Sequence, residues 1–199
     1  MSTQYSPKVV TNGLSLYLDA SNPKSYPGTG TTWFDLSGNS KHFTLEASGI
    51  TWNSAGYFSL ADGGATHSGA TSLSTTSTVV FWMRTTDLQA LFWEGPTTGY
   101  YLGAYRVGLK EYWALCGNPE FFMDTVDTPN IYDYFPNGQW HMVEFKNVDL
   151  SLWSTSKFNT YGGFKFGDGA VASIMVYNRN LTAQESLQNY NATKTRFGL

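Results

Sequence analysis

The sequence is poor in cysteine, in charge and in long apolar runs, and each shortage excludes a class of protein. Cys116 is the only cysteine among 199 residues, so the chain forms no internal disulfide and offers no cysteine cluster for zinc or iron. We expect its thiol to be a small buried hydrophobe. Charged residues make up 14% of the chain, against an average of about 25%, and the net charge of −3 comes without a basic stripe. We therefore expect no nucleic-acid partner.

No apolar run is long enough to cross a bilayer, and residues 1–7 have neither the basic nor the apolar part of a signal peptide. We therefore expect synthesis in a cytoplasm without signal-peptide export, and no membrane insertion.

Apolar and aromatic residues are plentiful, at 41% and 17%, and suffice for the core of one large all-β domain. Leu14, Leu16 and Leu18 alternate with polar residues, which predicts a strand with one apolar face. Residues 62–78 are dominated by small residues and predict a long surface loop. Further short strands are predicted at residues 43–45, 57–60, 79–84, 91–93, 100–105, 111–115, 141–145, 150–153 and 170–177. This pattern is typical of a sandwich or jelly roll.

The C-terminal segment changes its periodicity at Thr182. Residues 171–177 are mostly β-branched or apolar and predict a buried strand. Thr182 and Glu185 have the spacing of a capping box, which predicts a helix from this point. The stripe predicted to dock this helix on the domain consists of Ala183, Leu187 and Tyr190.

The C-terminal residues 171–199 resemble the LamG-like, concanavalin A-like jelly rolls in structural proteins of tailed bacteriophages, especially marine, T4-like ones. The other segments similar to that family are residues 13–28, 33–39, 79–84 and 138–143. The resemblance spans nearly the whole chain. It implies an all-β fold: a LamG-like antiparallel β-sandwich jelly roll with one short C-terminal helix, formed by residues 12–199 after an N-terminal arm of residues 1–11.

Tests for enzymatic chemistry are negative. Retaining glucanases of this fold place two carboxylates close together on one strand, with acidic residues two or four positions apart. None of the six glutamates has an acidic residue two positions later, and no Gly-x-Ser-x-Gly elbow occurs. We predict no enzymatic activity and no catalytic residues, although this test does not address carboxylates from different strands. His141 is predicted to be a sheet residue with hydrogen-bond partners.

One short pattern bears on metal binding. Asp133 and Asn137 match the Asp-x-Phe-x-Asn cation loop of legume lectins, but Ile131 and His141 stand where further acidic ligands would be needed. We interpret Asp133 as a turn residue and predict no metal and no cofactor, with Ca²⁺ at this loop as the weaker alternative.

Aromatic residues are concentrated between residues 92 and 140. Such rings fill a core, or they line a groove where they stack on a sugar or anchor a protein interface. The core takes the larger share, but neighbouring rings on a strand point to opposite faces, so some are exposed. The predicted ligand-binding rings are Trp93, Tyr100, Tyr105, Trp113, Tyr132 and Tyr134.

Taken with the phage resemblance, these features predict a non-enzymatic virion surface protein of a tailed bacteriophage. We expect a capsid decoration protein, multimeric on the particle, whose partners are capsid or fibre subunits and which also contacts host surface glycans in one version of the hypothesis. The alternative is a carbohydrate-binding, lectin-like domain of a tail or head fibre. The chain has no coiled coil and no long fibre shaft, which favours decoration.

Overall fold

The computed structural model describes residues 8–86, 90–96, 101–104, 110–112, 116–127, 137–159 and 168–199. Within these ranges the chain forms two antiparallel sheets and one α-helix, α1, Ala183–Thr193, followed by a 3-10 helix, Lys194–Phe197. The strands are β1 Leu14–Asp19, β2 Thr32–Trp33, β3 Phe43–Leu45, β4 Ile50–Asn53, β5 Tyr57–Leu60, β6 Ala65–His67, β7 Ser77–Thr85, β8 Ala90–Glu94, β9 Tyr101–Ala104, β10 Lys110–Tyr112, β11 Gly117–Met123, β12 Val126–Asp127, β13 His141–Val148, β14 Ser156–Phe158 and β15 Gly169–Tyr177. The predicted fold class is confirmed.

The two sheets are built by antiparallel pairing of strands that are often distant in sequence. In the described parts of the chain, the larger sheet has eight strands in the order β12-β11-β13-β7-β15-β5-β4, with β1 also paired to β15. The smaller has seven, in the order β10-β9-β8-β14-β6-β3-β2. The central strands β7 and β15 pair from Thr78 to Thr85 of β7. We therefore use the two ends of β7 to name the two ends of the larger sheet along the strand direction.

The main core lies between the sheets. Val79, Phe81 and Met83 alternate along β7 and belong to this core, as do Trp33 and Phe43 from the smaller sheet. All five side chains are buried. Burying an apolar side chain of this size stabilises a fold by roughly 1.5–3 kcal/mol.

The other face of β7 is covered as well, by α1 and the 3-10 helix. Val80 and Trp82 lie on this outer face in a second apolar cluster. The Trp82 ring stacks on Phe197, with centroids 4.3 Å apart, and on Tyr190, at 5.8 Å. Its Nε1 donates to Thr193 Oγ1 at 2.7 Å. Because both faces of β7 are buried, its sequence reads as a continuous apolar run without alternation.

Helix α1 begins at the predicted capping box, which is confirmed. Thr182 Oγ1 accepts from the Glu185 N–H at 3.2 Å, and Glu185 Oε2 accepts from the Thr182 N–H at 2.9 Å. Arg179 donates to both oxygens of the same carboxylate, at 2.6 and 2.9 Å. The hydrogen bonds from Arg179, with those from Thr182, lower the pKa of Glu185 to about 2.

The predicted docking stripe of α1 is wrong at two of its three positions. Leu187 is 46% exposed, and Ala183 is exposed too, whereas the buried helix residues are Ser186 and Asn189. Tyr190, the third predicted member, does pack against the outer cluster. A hydrophobic stripe misidentifies this face because polar side chains with hydrogen-bond partners can be buried at little cost.

The partners of the two buried polar residues come from distant parts of the chain. Ser186 Oγ donates to Glu144 Oε1 at 2.8 Å. Asn189 Oδ1 accepts from the Val10 N–H at 2.8 Å, and its Nδ2 donates to the Tyr177 hydroxyl at 3.1 Å. Burial raises the pKa of Glu144, although Lys146 Nζ lies 3.0 Å from its Oε1. The helix is therefore held by buried hydrogen bonds as well as by the apolar contacts of Tyr190.

The described part of the predicted N-terminal arm, residues 8–11, packs against the domain. Val10 is buried, and its carbonyl accepts from the Tyr177 hydroxyl at 3.0 Å. The Gln188 side chain donates to the Lys8 carbonyl at 2.8 Å. These residues lie between β15 and α1 and belong to the packing of the sandwich.

Of the other local predictions, one is confirmed and two are wrong. Cys116 is buried, as expected. Residues 62–78 do not form one loop, because they contain β6 and the start of β7. Residues 150–153 form a turn and not a strand, because the Trp153 N–H donates to the Leu150 carbonyl at 3.1 Å. In the described ranges no helix has the length and apolar character needed to cross a bilayer.

Candidate functional site

Trp93 is the one predicted ligand-binding ring whose side chain the structure describes, and it lies in the core. It is 0% exposed and packs between Phe43 and Phe81, with centroid distances of 5.6 and 5.8 Å. Because β8 directs this side chain toward the larger sheet, we correct the prediction that Trp93 lines a ligand groove. The other predicted residues lie outside the described ranges: Tyr100, Tyr105, Trp113, Tyr132 and Tyr134.

A different group of residues meets at the end of the larger sheet where β7 stops. In the sheet register, Arg84 pairs with Ala170, which in turn pairs with Ser59. His141 pairs with Met83, so the preceding residue, Trp140, continues this row on the other side of Arg84. Directly paired residues share a face of an antiparallel sheet. The pairing thus places Ser59, Ala170, Arg84 and Trp140 in one outward-facing row across the ends of four neighbouring strands. Ala170, in the middle of the row, contributes only a methyl group.

A pocket of about 240 Å³ opens beside this row. Its polar lining consists of Ser59, Arg84, Thr85, Thr86 and Asp168. This volume is below the ~300–1,000 Å³ of pockets that take drug-sized ligands, so the pocket suits a small polar group such as one sugar ring.

Asp168 is fixed by the two threonines that follow Arg84. Thr86 Oγ1 donates to Asp168 Oδ2 at 2.7 Å, and Thr85 Oγ1 donates to the Asp168 carbonyl at 2.7 Å. The Gly138 N–H donates to the Thr85 carbonyl at 3.0 Å and joins the turn before β13 to the same strand end. The carboxylate is therefore held in place on the wall of the pocket.

Arg84, which lines the pocket, also contacts two half-buried aromatic rings. The guanidinium carbon of Arg84 lies 5.5 Å from the centroid of Tyr57 and 5.4 Å from that of Trp140. The two rings are 5.5 Å apart and meet edge to face. We name the group of Tyr57, Arg84, Trp140 and Asp168, with the pocket that Arg84 and Asp168 line, the Arg84 site.

Arg84 differs from the other arginines whose side chains are described. Arg179 is paired with Glu185 at 2.6 Å, and Arg196 with Asp19 at 2.7 Å. Within the described part of the chain, the Arg84 guanidinium contacts the two rings but makes no ion pair or protein hydrogen bond. A guanidinium carries five N–H donors. Those of Arg84 are available to solvent or to a ligand.

The turn that carries Trp140 is braced by His141. Its Nδ1 lies 2.7 Å from Asp124 Oδ2 and its Nε2 lies 3.2 Å from Asn137 Oδ1. Asp124 Oδ1 also accepts from the Met142 N–H at 2.9 Å. The prediction that His141 is a hydrogen-bonded sheet residue is confirmed. Its contacts fix the backbone on both sides of Trp140.

The geometry gives no site for a metal in the described residues, where no three His, Cys, Asp or Glu side chains cluster. Asp133 lies outside the described ranges. Asn137 is described, and its Oδ1 accepts from the Gln139 N–H at 2.8 Å within its own turn. The structure therefore leaves the alternative of Ca²⁺ at the Asp133 loop as a sequence-based prediction.

None of the four residues of the Arg84 site was predicted from the sequence as a binding residue. One signal could have found Arg84, because it follows Val80 and Trp82 in the outward row of an apolar strand and is the first charge there. Tyr57 and Trp140 have no local feature that separates them from core rings. Asp168 precedes β15 in a glycine-rich stretch and resembles an ordinary turn residue.

No family model matches the sequence, and no curated protein is similar to it. Solved structures match the fold. Domain 4 of AbnA, a GH43 extracellular arabinanase from Geobacillus stearothermophilus, in complex with arabinotriose, has a TM-score of 0.62 at 13% identity, over 89% of this chain and 98% of that one. The botulinum neurotoxin serotype D binding domain has a TM-score of 0.61 at 10% identity, over 92% and 53%.

A third match is a mutant Trypanosoma rangeli sialidase displaying trans-sialidase activity, with a TM-score of 0.59 at 14% identity, over 94% of this chain and 34% of that one. The chain thus spans about a third of the sialidases that it matches. At these identities the similarity extends to the β-sandwich fold alone.

Proposed function

We propose that the protein is a non-enzymatic, carbohydrate-binding β-sandwich domain and that the Arg84 site holds the sugar. One observation carries the proposal: a polar pocket of about 240 Å³ at one sheet end is lined by Arg84, which is in contact with two half-buried aromatic rings. A flat ring packs on the C–H face of a sugar, and the hydroxyl groups of the sugar need fixed donors and acceptors. Trp140 and Tyr57 supply rings, and Asp168, Thr86 and Ser59 supply polar groups.

The fold comparisons support this function. The arabinanase domain in complex with arabinotriose is matched over 98% of its length, so a sandwich of similar size accommodates an oligosaccharide in that protein. The matched part of the neurotoxin belongs to a binding domain. Fold similarity alone does not carry a function, so the proposal rests on the site.

The lining of the pocket supports a binding role without hydrolysis. Glycoside hydrolysis uses two carboxyl groups about 5–10 Å apart. Of the described residues that line the pocket, Asp168 is the only one with a carboxylate, and that carboxylate accepts a hydrogen bond from Thr86.

A glycan array followed by titration calorimetry tests this function, with arabinan oligosaccharides included in the panel. We expect saturable binding that Trp140→Ala weakens by at least about tenfold, because this ring supports Arg84 on the wall of the pocket. The matched control is Phe34→Ala, because Phe34 is also an exposed ring and packs on His42, outside the site. Asp168→Asn provides a second variant that keeps the aromatic cluster. Saturable binding unaffected by either site variant would contradict the proposed location.

A second candidate function, attachment to a tailed-bacteriophage virion as a capsid decoration protein, is favoured by the opposite sheet end. Leu73 and Leu152 are 77% and 65% exposed there, on loops joined by the hydrogen bond from Leu150 N–H to the Ser74 carbonyl. Exposed apolar side chains on adjacent loops suit burial in a protein interface. The resemblance to phage jelly rolls supports the same function.

Particle composition tests the second candidate. We expect many copies in purified virions, and fewer when Leu73 and Leu152 are both changed to Ser. Virions that contain no copies would contradict it and leave the sugar-binding proposal intact.

A further inference from the structure

We infer that the Arg84 site selects an acidic sugar, one whose carboxylate is bound by Arg84. The inference rests on the proposed sugar-binding function and adds the chemical class of the ligand.

The first argument is that Arg84 has no anionic partner. The other two described arginines form ion pairs with carboxylates at 2.6 and 2.7 Å, but Arg84 has only ring contacts within the described ranges. Arginine presents a planar fork of donors that matches the two oxygens of a carboxylate. A half-buried arginine whose donors are not used by the protein is therefore suited to a ligand carboxylate.

The second argument is that Arg84 is held in place before any ligand arrives. Its guanidinium lies over both Tyr57 and Trp140, within 5.5 Å of each centroid. The Trp140 ring is itself packed on Phe197, with centroids 4.7 Å apart. Cation–π contacts restrict the guanidinium without using its N–H donors, so less conformational entropy is lost when a carboxylate binds.

The third argument comes from the hydroxyl groups that line the pocket beside Arg84, those of Ser59 and Thr86. Hydroxyl groups both donate and accept hydrogen bonds, as the hydroxyl groups of a sugar require. A ligand that carries a carboxylate next to sugar hydroxyl groups uses both kinds of lining, and a uronic acid has this arrangement.

The alternative is that the site binds a neutral sugar. Arg84 then has a purely structural role and covers the two rings, since long cationic side chains often shield apolar surface. The two hypotheses differ in what happens when the ligand carboxylate is removed. Only a binding role makes affinity depend on that group and on Arg84 together.

The test uses the full chain and matched pairs of oligosaccharides, each a uronate oligomer and its carboxyl-reduced neutral partner, measured by titration calorimetry. We expect at least one acidic member to bind about tenfold or more tightly than its neutral partner, the effect of a hydrogen-bonded charge pair. Arg84→Gln should remove that preference, and Arg84→Lys should restore part of it. Thermal unfolding of each variant confirms that the fold is intact.

The outcomes separate the two proposals. Equal affinity for acidic and neutral partners, with Trp140→Ala weakening both and Arg84→Gln weakening neither, overturns the acidic-sugar inference and leaves the sugar-binding function standing. An acidic preference that persists in Arg84→Gln also overturns the inference. If no member of the panel and no glycan on the array binds, both proposals fail.

Discussion

The two ends of β7 differ in how their polar groups are used. At the Thr78 end, which we call the closed end, the Thr78 hydroxyl donates to the Arg179 carbonyl at 3.0 Å and accepts from the Leu181 N–H at 3.1 Å, where the chain turns into α1. Arg179 is paired there with Glu185. At the other end, which we call the open end, Arg84 lies beside a pocket with no protein anion bound to it in the described residues.

This difference separates groups that hold the fold from groups that are proposed to bind a ligand. A charged group paired within the protein contributes to folding, and removing its partner leaves a polar group without its hydrogen bonds. A charged group with no protein partner contributes little to folding and remains able to bind.

The shared middle of β7 should matter most for stability. Trp82 is fully buried and stacks on Phe197 and Tyr190, so Trp82→Ala should destabilise the protein by about 3–5 kcal/mol. Urea denaturation measures the loss. The control is Leu187→Ala on the exposed face of α1, which should change stability by less than about 0.5 kcal/mol. A loss below about 1 kcal/mol for Trp82→Ala would mean that the helix is not packed on this face as described.

The closed end should respond to loss of its helix cap. Thr182→Ala removes the oxygen that accepts from the Glu185 N–H, and we expect a cost of about 1 kcal/mol in the free energy of unfolding. Thr182→Ser retains a hydroxyl and serves as the matched control. If both variants cost the same, the cap is not the source of the stability.

The closed end should also show a pH dependence. The pKa of Glu185 is lowered from 4.5 to about 2 by Arg179 and the cap, so the folded state binds its proton less readily than the unfolded state. Its stabilising effect is present above pH 4.5 and is lost as the pH falls from 4.5 toward 2. Because the pair is partly exposed, the effect should stay below about 1 kcal/mol.

Denaturation curves at several pH values for the wild type and Glu185→Gln isolate this contribution from that of Glu144. Burial raises the pKa of Glu144, so its ionisation weakens the fold as the pH rises and acts with the opposite sign. A stability difference between wild type and Glu185→Gln that is constant across this window would contradict the assignment.

The open end should show the smallest stability change. Arg84→Gln removes the ring contacts but no protein hydrogen bond in the described structure, and we expect a change within about 0.5 kcal/mol. Arg179→Gln, which breaks a bidentate pair, should cost more in the same assay. A large loss for Arg84→Gln would assign Arg84 to the fold and remove the basis of the contrast.

Local features of the sequence determined much of the fold. The Thr182 cap depends on groups three residues apart, and strands such as β3 and β5 begin and end where the short apolar runs do. The apolar run through β7 predicts a strand but does not show that both of its faces are buried. That depends on α1, which comes about 100 residues later and packs with a polar face that no hydrophobic stripe reveals.

The tertiary structure alone decided where the rings and charges meet. Tyr57, Arg84, Trp140 and Asp168 come from four separate segments and are brought together by the register of β5, β15, β7 and β13. Strand pairing over such separations leaves no periodicity in the sequence, because neighbours in a sheet need not be neighbours in the chain. Trp93, in the segment richest in aromatic residues, lies in the core for the same reason. The pairing of a strand with its partner strand decides which face a ring occupies.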